Sequence, residues 1–213
     1  IATTCLLAAL VSPVQEVHPQ RSVELHTAVL YDVGSATSNP LSEVVFGNVE
    51  AVLPIARDSF VVLDSRLHRL VVVSANGKRV THFGRGGSGP GEIGVGRSIA
   101  RDQRGAVLLL DVSNQRITEY DLSEGGLKFR ASNSIQINPH SMCLLGQDWV
   151  FFGYFRERLL HVSSDSGQTF DSFGSPFGGD NPFMQSSLSQ GHVLCVSRSS
   201  SIVLLPRNVP ELR

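Results

Sequence analysis

An all-β chain folded as a β-propeller is what this sequence predicts, and three observations carry the prediction. The stretch over 61–84, VVLDSRLHRLVVVSANGKRVTHFG, recurs in outline as LLLDVSNQRITEYDLSEGGLKF from Leu108 and as VFFGYFRERLLHVSSDSGQTFDSFG from Val150. Asp64 and Asp111 hold one place in the repeat, with Arg69 and Arg116 each five residues on; Arg158 keeps the Arg place in the third copy, where Gly153 stands for the Asp. The markers at 64, 111 and 153 lie 47 and then 42 residues apart. A period of about 40–50 residues made of short strands is the mark of one four-stranded blade per repeat.

The elements follow in order. A strand is expected over 23–33, then a turn-rich break over 34–40; residues 17–41 form a linker that is a candidate piece of the ring-closing blade. The first blade, 42–94, has strands over 49–56, 59–65, 69–75 and 78–84, with Asn76-Gly77 as the hairpin turn because both residues tolerate positive φ. The second, 95–134, has strands over 97–102, 106–112, 116–122 and 127–133, the last after the Glu124-Gly125-Gly126 turn. The third, 135–182, has strands over 140–146, 149–155, 158–164 and 168–174. The fourth, 183–213, reads as strands over 185–190, 191–197 and 201–207. No stretch after residue 20 carries a 3.6-residue apolar period, so no helix is expected there.

Three blades and most of a fourth do not close a ring, and closure is what protects propeller edge strands. The chain starts at Ile1, not Met, and stops inside a blade at Arg213. A partial sequence of a larger ring is the expectation; a half-propeller that pairs with itself is the alternative.

Composition excludes several functions. With 41% hydrophobic residues, 17% charged residues and a net charge of −1, the chain is globular and lacks the basic footprint of a nucleic-acid binder. The apolar stretch over 3–11 is too short to span a bilayer. It reads as part of a secretory signal over 1–16, with a buried N-terminal element as the plainer alternative; the residues before Cys5 do not support a lipoprotein reading. The protein is accordingly expected to be secreted or periplasmic. Cys143 and Cys195 remain after the leader. An even pair in an exported protein allows a disulfide, but both lie in apolar strand contexts, and two buried free thiols is the reading favoured.

The linker FGRGGSGPGEI over 83–93 and the D-x4-R markers together resemble the NHL-repeat-like six-bladed propellers of bacteria, over roughly residues 40–213. Phe83, Gly84, Gly86, Gly89, Pro90, Gly91 and Glu92 match that linker, Ile93 stands where Phe is usual, and 173–183 is a degraded copy. The resemblance implies a six-bladed exported protein and little about chemistry. Gly84, Gly86 and Gly89 also spell a dinucleotide-binding pattern, which needs a helix next; Pro90-Gly91 and a strand follow, so an interblade loop is expected. Residues 163–170, SSDSGQTF, resemble the Asp-box of sialidases and related propellers, where Asp165 and Gly167 would hold a hairpin turn rather than do catalysis. Asp64 with Arg69 and Asp111 with Arg116 recur once per blade, as structural turn residues do and active sites do not.

The seven histidines show no metal-ligand spacing, and no nucleophile motif is present, so no catalytic or metal-binding residue and no cofactor can be named. The repeat does place Glu50, Arg97, His140 and Gln185 at one level of the inner strands. Four chemically different polar residues at the channel mouth make a candidate ligand site; the plainer alternatives are a mouth that is polar because it is wet, and a Glu50–Arg97 ion pair that closes it. Two functions remain open: an exported module binding a protein, peptide or carbohydrate, or a propeller enzyme of lyase, lactonase or glycosidase type with a metal or acid/base pair in the channel.

Overall fold

Runs such as Val61-Val62-Leu63 and Leu108-Leu109-Leu110 have no polar alternation, so strands made from them must be covered on both faces. In the computed structural model, which describes residues 45–74, 79–165, 167–196 and 199–207, both runs are buried. Each repeat copy forms one meandering antiparallel sheet. The first joins β1 (Val49–Ala56), β2 (Ser59–Asp64), β3 (Arg69–Ser74) and β4 (Arg79–Phe83). The second joins β5 (Gly96–Arg101), β6 (Val107–Asp111), β7 (Arg116–Ser123) and β8 (Gly126–Ser134). The third joins β9 (Ser141–Leu145), β10 (Asp148–Phe155), β11 (Arg158–Ser163) and β12 (Asp171–Phe173); β13 (Gly191–Val196) and β14 (Ser201–Pro206) begin a fourth.

The sheets stack face to face with their first strands innermost, β1 beside β5, β5 beside β9 and β9 beside β13. The apolar core lies between blades. Val61 and Leu63 pack with Ile99, Leu109 and Tyr120 between the first two. Leu108, Leu110, Met142 and Phe151 fill the next interface, and Val150, Phe152 and Val193 the third. Each such side chain contributes about 1.5–3 kcal/mol by leaving water. This is an all-β propeller, as the repeat predicts.

The recurrent polar residues hold the turns. Asp64 accepts from the backbone N–H groups of Gly47, Asn48 and Leu67 and pairs with Arg69 at 3.3 Å. Burial alone would raise its pKa; those backbone donors and Arg69 outweigh it and hold the carboxyl below its ordinary value. Asp111 accepts from Gly94 and Val95 in the same way. Arg116 reaches further, donating to the carbonyls of Ser88, Gly89 and Glu92, so it clamps the glycine-rich linker. That linker closes on itself through Ile93 N–H to Arg85 O and plugs the buried Ile93 beneath it. It leads into β5, not a helix, and is the interblade loop expected. In the Asp-box, Asp165 accepts from Ser163 Oγ and from the backbone of Gln168 and Thr169, while Gly167 supplies a φ of +88°. These bonds hold the Asp165 carboxyl well below the usual carboxylate range, the Thr169 backbone N–H contributing most.

One buried histidine takes no part in the mouth. His161, wholly buried in β11, donates from Nε2 to the carbonyl of Gly153 and accepts at Nδ1 from Ser172 Oγ. Burial pushes its pKa below 6.5, against a smaller upward pull from the backbone of Gly153 and Arg158. Its stabilisation is therefore complete above the unfolded value of 6.5 and is lost as pH falls through the lower folded value. Urea melts at pH 7.5 and 5 should show this loss, and His161→Gln should shrink the difference between the two.

Two expectations are corrected here. Residues 182–188 form a helix, α1 (Pro182–Leu188), where no helix was expected and where 185–190 was read as an inner strand. Asn181 caps it by accepting from Phe183 and Met184 N–H, with proline at its start, a strong N-terminal signal. Seven residues are too few for periodicity to show. The second correction concerns Cys143 and Cys195, which are not free thiols but a disulfide with Cα atoms 5.7 Å apart. With β13 as the inner strand of the fourth blade, Cys195 comes to lie beside Cys143 of β9.

The signal over 1–16, Cys5, the strand over 23–33, the break over 34–40 and the Asn76-Gly77 turn lie outside the described residues. Among the described residues no helix is long and apolar enough to cross a membrane.

Candidate functional site

The repeat's own aspartates shape the start of the inner strands. By taking the N–H groups of residues just ahead of β1 and β5, Asp64 and Asp111 draw those backbones inward. In β1, Val49 faces Asp64 and Ala51 faces Leu63, which leaves Glu50 unpaired as a β-bulge. In β5, Gly96 faces Asp111 and Ser98 faces Leu110, which leaves Arg97 in the same position. A bulge bends its strand and re-aims the extra side chain. Here the two re-aimed side chains meet: Arg97 Nη1 lies 3.7 Å from Glu50 Oε1. Glu50 also accepts from Asn48 Nδ2 at 3.1 Å and from Ser65 Oγ at 3.5 Å.

The third blade reaches the same level by another route. Gly153 occupies the Asp place, and the backbone of Pro139 and His140 packs straight onto it. A Cβ on Gly153 would lie 3.0 Å from Pro139 Cα and 3.1 Å from His140 N. His140 N–H donates to Phe152 O at 2.7 Å. The loss of the Asp in this copy therefore makes room for His140. Its imidazole is half-buried, and its pKa is lowered first by burial and then by the positive charge of Arg97, Arg207 and His192.

In the fourth blade there is no bulge. Gly191 pairs directly with Pro206 and His192 with Leu205, so His192 stands one residue deeper than Glu50, Arg97 and His140. Arg207, just after β14, is held alongside by its N–H to Gln190 O at 2.7 Å. Gln185 does not join this group. It lies in α1, where its amide oxygen accepts from Tyr154 Oη at 3.0 Å, over the second strand of the third blade. Of the four residues expected at one level, Glu50, Arg97 and His140 come together and Gln185 does not. Sequence reasoning missed His192 and Arg207; placing the inner strand on 191–196 would have exposed the first.

Below this level the inner strands are clasped by serines. Ser98 Oγ lies 3.3 Å from both the N and the O of Met142, and Ser141 Oγ accepts from Val193 N–H at 2.8 Å. The open cleft beneath, about 630 Å³, is lined by Glu50, Ser98, Ser141, His192 and both cysteines among others. Among the described residues, Arg97, His140, His192 and Arg207 stand with Glu50 at the mouth, above inner strands joined by the serine bonds.

Comparison with known proteins bears on the fold. A search of curated proteins finds no match. Among solved structures, a Bacteroides fragilis protein designated as exported is similar with a TM-score of 0.59 at 16% identity, over 83% of this chain and 48% of that one. Virginiamycin B lyase from Staphylococcus aureus aligns with a TM-score of 0.48 at 10% identity, over 70% of this chain and 47% of that one. The chain thus spans about half the length of the solved structures it matches. The model of one sequence family matches residues 41–187, and the chain belongs to that family, the 6-bladed beta-propellers of DUF5128.

Proposed function

We propose that this chain is part of an exported six-bladed propeller that acts as a binding module, docking a protein, peptide or glycan at the channel mouth formed by the inner-strand starts. The observation that carries the reading is the pair of bulges at Glu50 and Arg97. Two successive blades interrupt their ladders at the same step, and each turns a charged side chain to one place. Asp64 and Asp111 set both bulges, and the side chains re-aimed by them are a carboxylate and a guanidinium. Export is supported by the Cys143–Cys195 disulfide, a bond that persists in oxidising compartments. Kinship with NHL-repeat propellers, read from the linker over 83–93, belongs to the same proposal.

Glycan and peptide arrays probed with the oxidised protein test the reading. Specific hits are expected, and Arg97→Ala and His140→Ala should each weaken them while the β-sheet circular dichroism stays intact. Loss of folding in both variants would return these residues to a structural role.

A further inference from the structure

Resting on the reading that ligands dock at this mouth, we infer that the group recognised there is an oxyanion (carboxylate, sulfate or phosphate) held between Arg97, His140, His192 and Arg207. The charge balance argues it. Glu50 on β1 faces Arg97 on β5, and among the described residues the charged groups acting on His140 from the neighbouring elements are Arg97, His192 on β13, and Arg207 after β14. Among the described residues, one carboxylate against two permanent cations leaves positive potential at the mouth, and the His140 imidazole adds to it when protonated.

The donors are not used up by Glu50. Its 3.7 Å separation from Arg97 exceeds hydrogen-bond distance, so the pair leaves the guanidinium fork able to serve another acceptor. A planar or tetrahedral oxyanion matches that fork bidentately. Arg207 is exposed and His192 is exposed, so both can be approached from solvent, while half-buried His140 closes the inner side. A neutral sugar or an amine would leave this field uncompensated. An arriving anion offsets the positive field around His140 and favours its imidazolium, so binding favours uptake of a proton.

Sulfate tests this directly, since it stays a dianion throughout pH 5–8, and acetate serves as the carboxylate probe. The readout is the ring C–H resonances of His140 and His192 at constant chloride. Saturable shifts of both rings are expected with at least one probe, and the preferred probe separates a tetrahedral from a planar group. Arg97→Gln should weaken binding at least about tenfold, which is the scale of one charge-assisted hydrogen bond. Arg207→Gln, which touches no core, should weaken it as well and decides the matter if Arg97→Gln does not fold. Sulfate affinity should rise between pH 7.5 and 5.5, and His140→Gln should flatten that rise.

Rings that do not move, or shifts that grow linearly without saturation, would overturn the inference. Unchanged affinity in Arg97→Gln and Arg207→Gln would do the same. Failure of the docking reading looks different. If the arrays yield no ligand but sulfate binds, the oxyanion site stands and the docking reading falls. If array ligands bind and neither excess sulfate nor Arg97→Gln displaces them, the reverse holds.

Discussion

Replacing Cys143 and Cys195 together by serine is expected to lower the unfolding free energy by about 4 kcal/mol, the entropic value for a closed loop of this size. The two cysteines are 52 residues apart in sequence, and the bond ties the inner strand of the third blade to that of the fourth. For a chain of this length the loss corresponds to about 8–16 °C in melting temperature. The measurement is a thermal melt followed by circular dichroism, with and without reductant. Reductant should bring the wild type down onto the double variant and leave the variant itself unchanged. A wild type whose melting ignores reductant would show that the bond does not hold the blades. The effect should be centred on β13 and β14, which among the described residues lack the outer two strands that the other blades have. Hydrogen exchange should therefore quicken there first.

The second large effect is expected at Asp111. Its side chain is completely buried, with a guanidinium beside it and two backbone N–H groups bonded to it. Asp111→Ala removes the acceptor for Gly94 and Val95 and leaves Arg116 without its counter-charge; breaking one side of a buried pair costs about 3–5 kcal/mol. Chemical denaturation should show that loss. Asp111→Asn, which keeps one acceptor oxygen, should recover part of it. Asp165 is the contrast. Its bonds are as many, but they lie at the exposed tip of a turn, and Asp165→Ala should cost about 1 kcal/mol, the scale of a lost helix cap. An Asp111→Ala variant as stable as wild type would remove the repeat marker from any structural account.

Whatever repeats could be read from the residues alone. The D-x4-R markers, the apolar runs at 61–63 and 108–110 and the glycine-rich linker each follow from local chemistry: burial on both faces, a turn that needs a carboxylate, a chain reversal that needs glycine. The markers and the apolar runs recur at the repeat period, so four-stranded blades could be read directly. The Asp64 and Asp111 turns were legible for the same reason, since both carboxylates accept from backbone N–H groups just ahead of an inner strand; the third copy, with Gly153, makes no such bond.

What lies between blades depends on how the sheets pack. Cys143 and Cys195 become neighbours because β13 packs beside β9, a fact no local window contains. The helix at 182–188 displaced the fourth inner strand by six residues, from 185 to 191, and that one shift removed Gln185 from the mouth, brought in His192 and made the disulfide possible. The bulges at Glu50 and Arg97 are likewise a matter of register, set by where Asp64 and Asp111 pull the preceding chain. A residue's identity says which bonds it is able to make; which neighbours it meets depends on how one sheet is laid against the next.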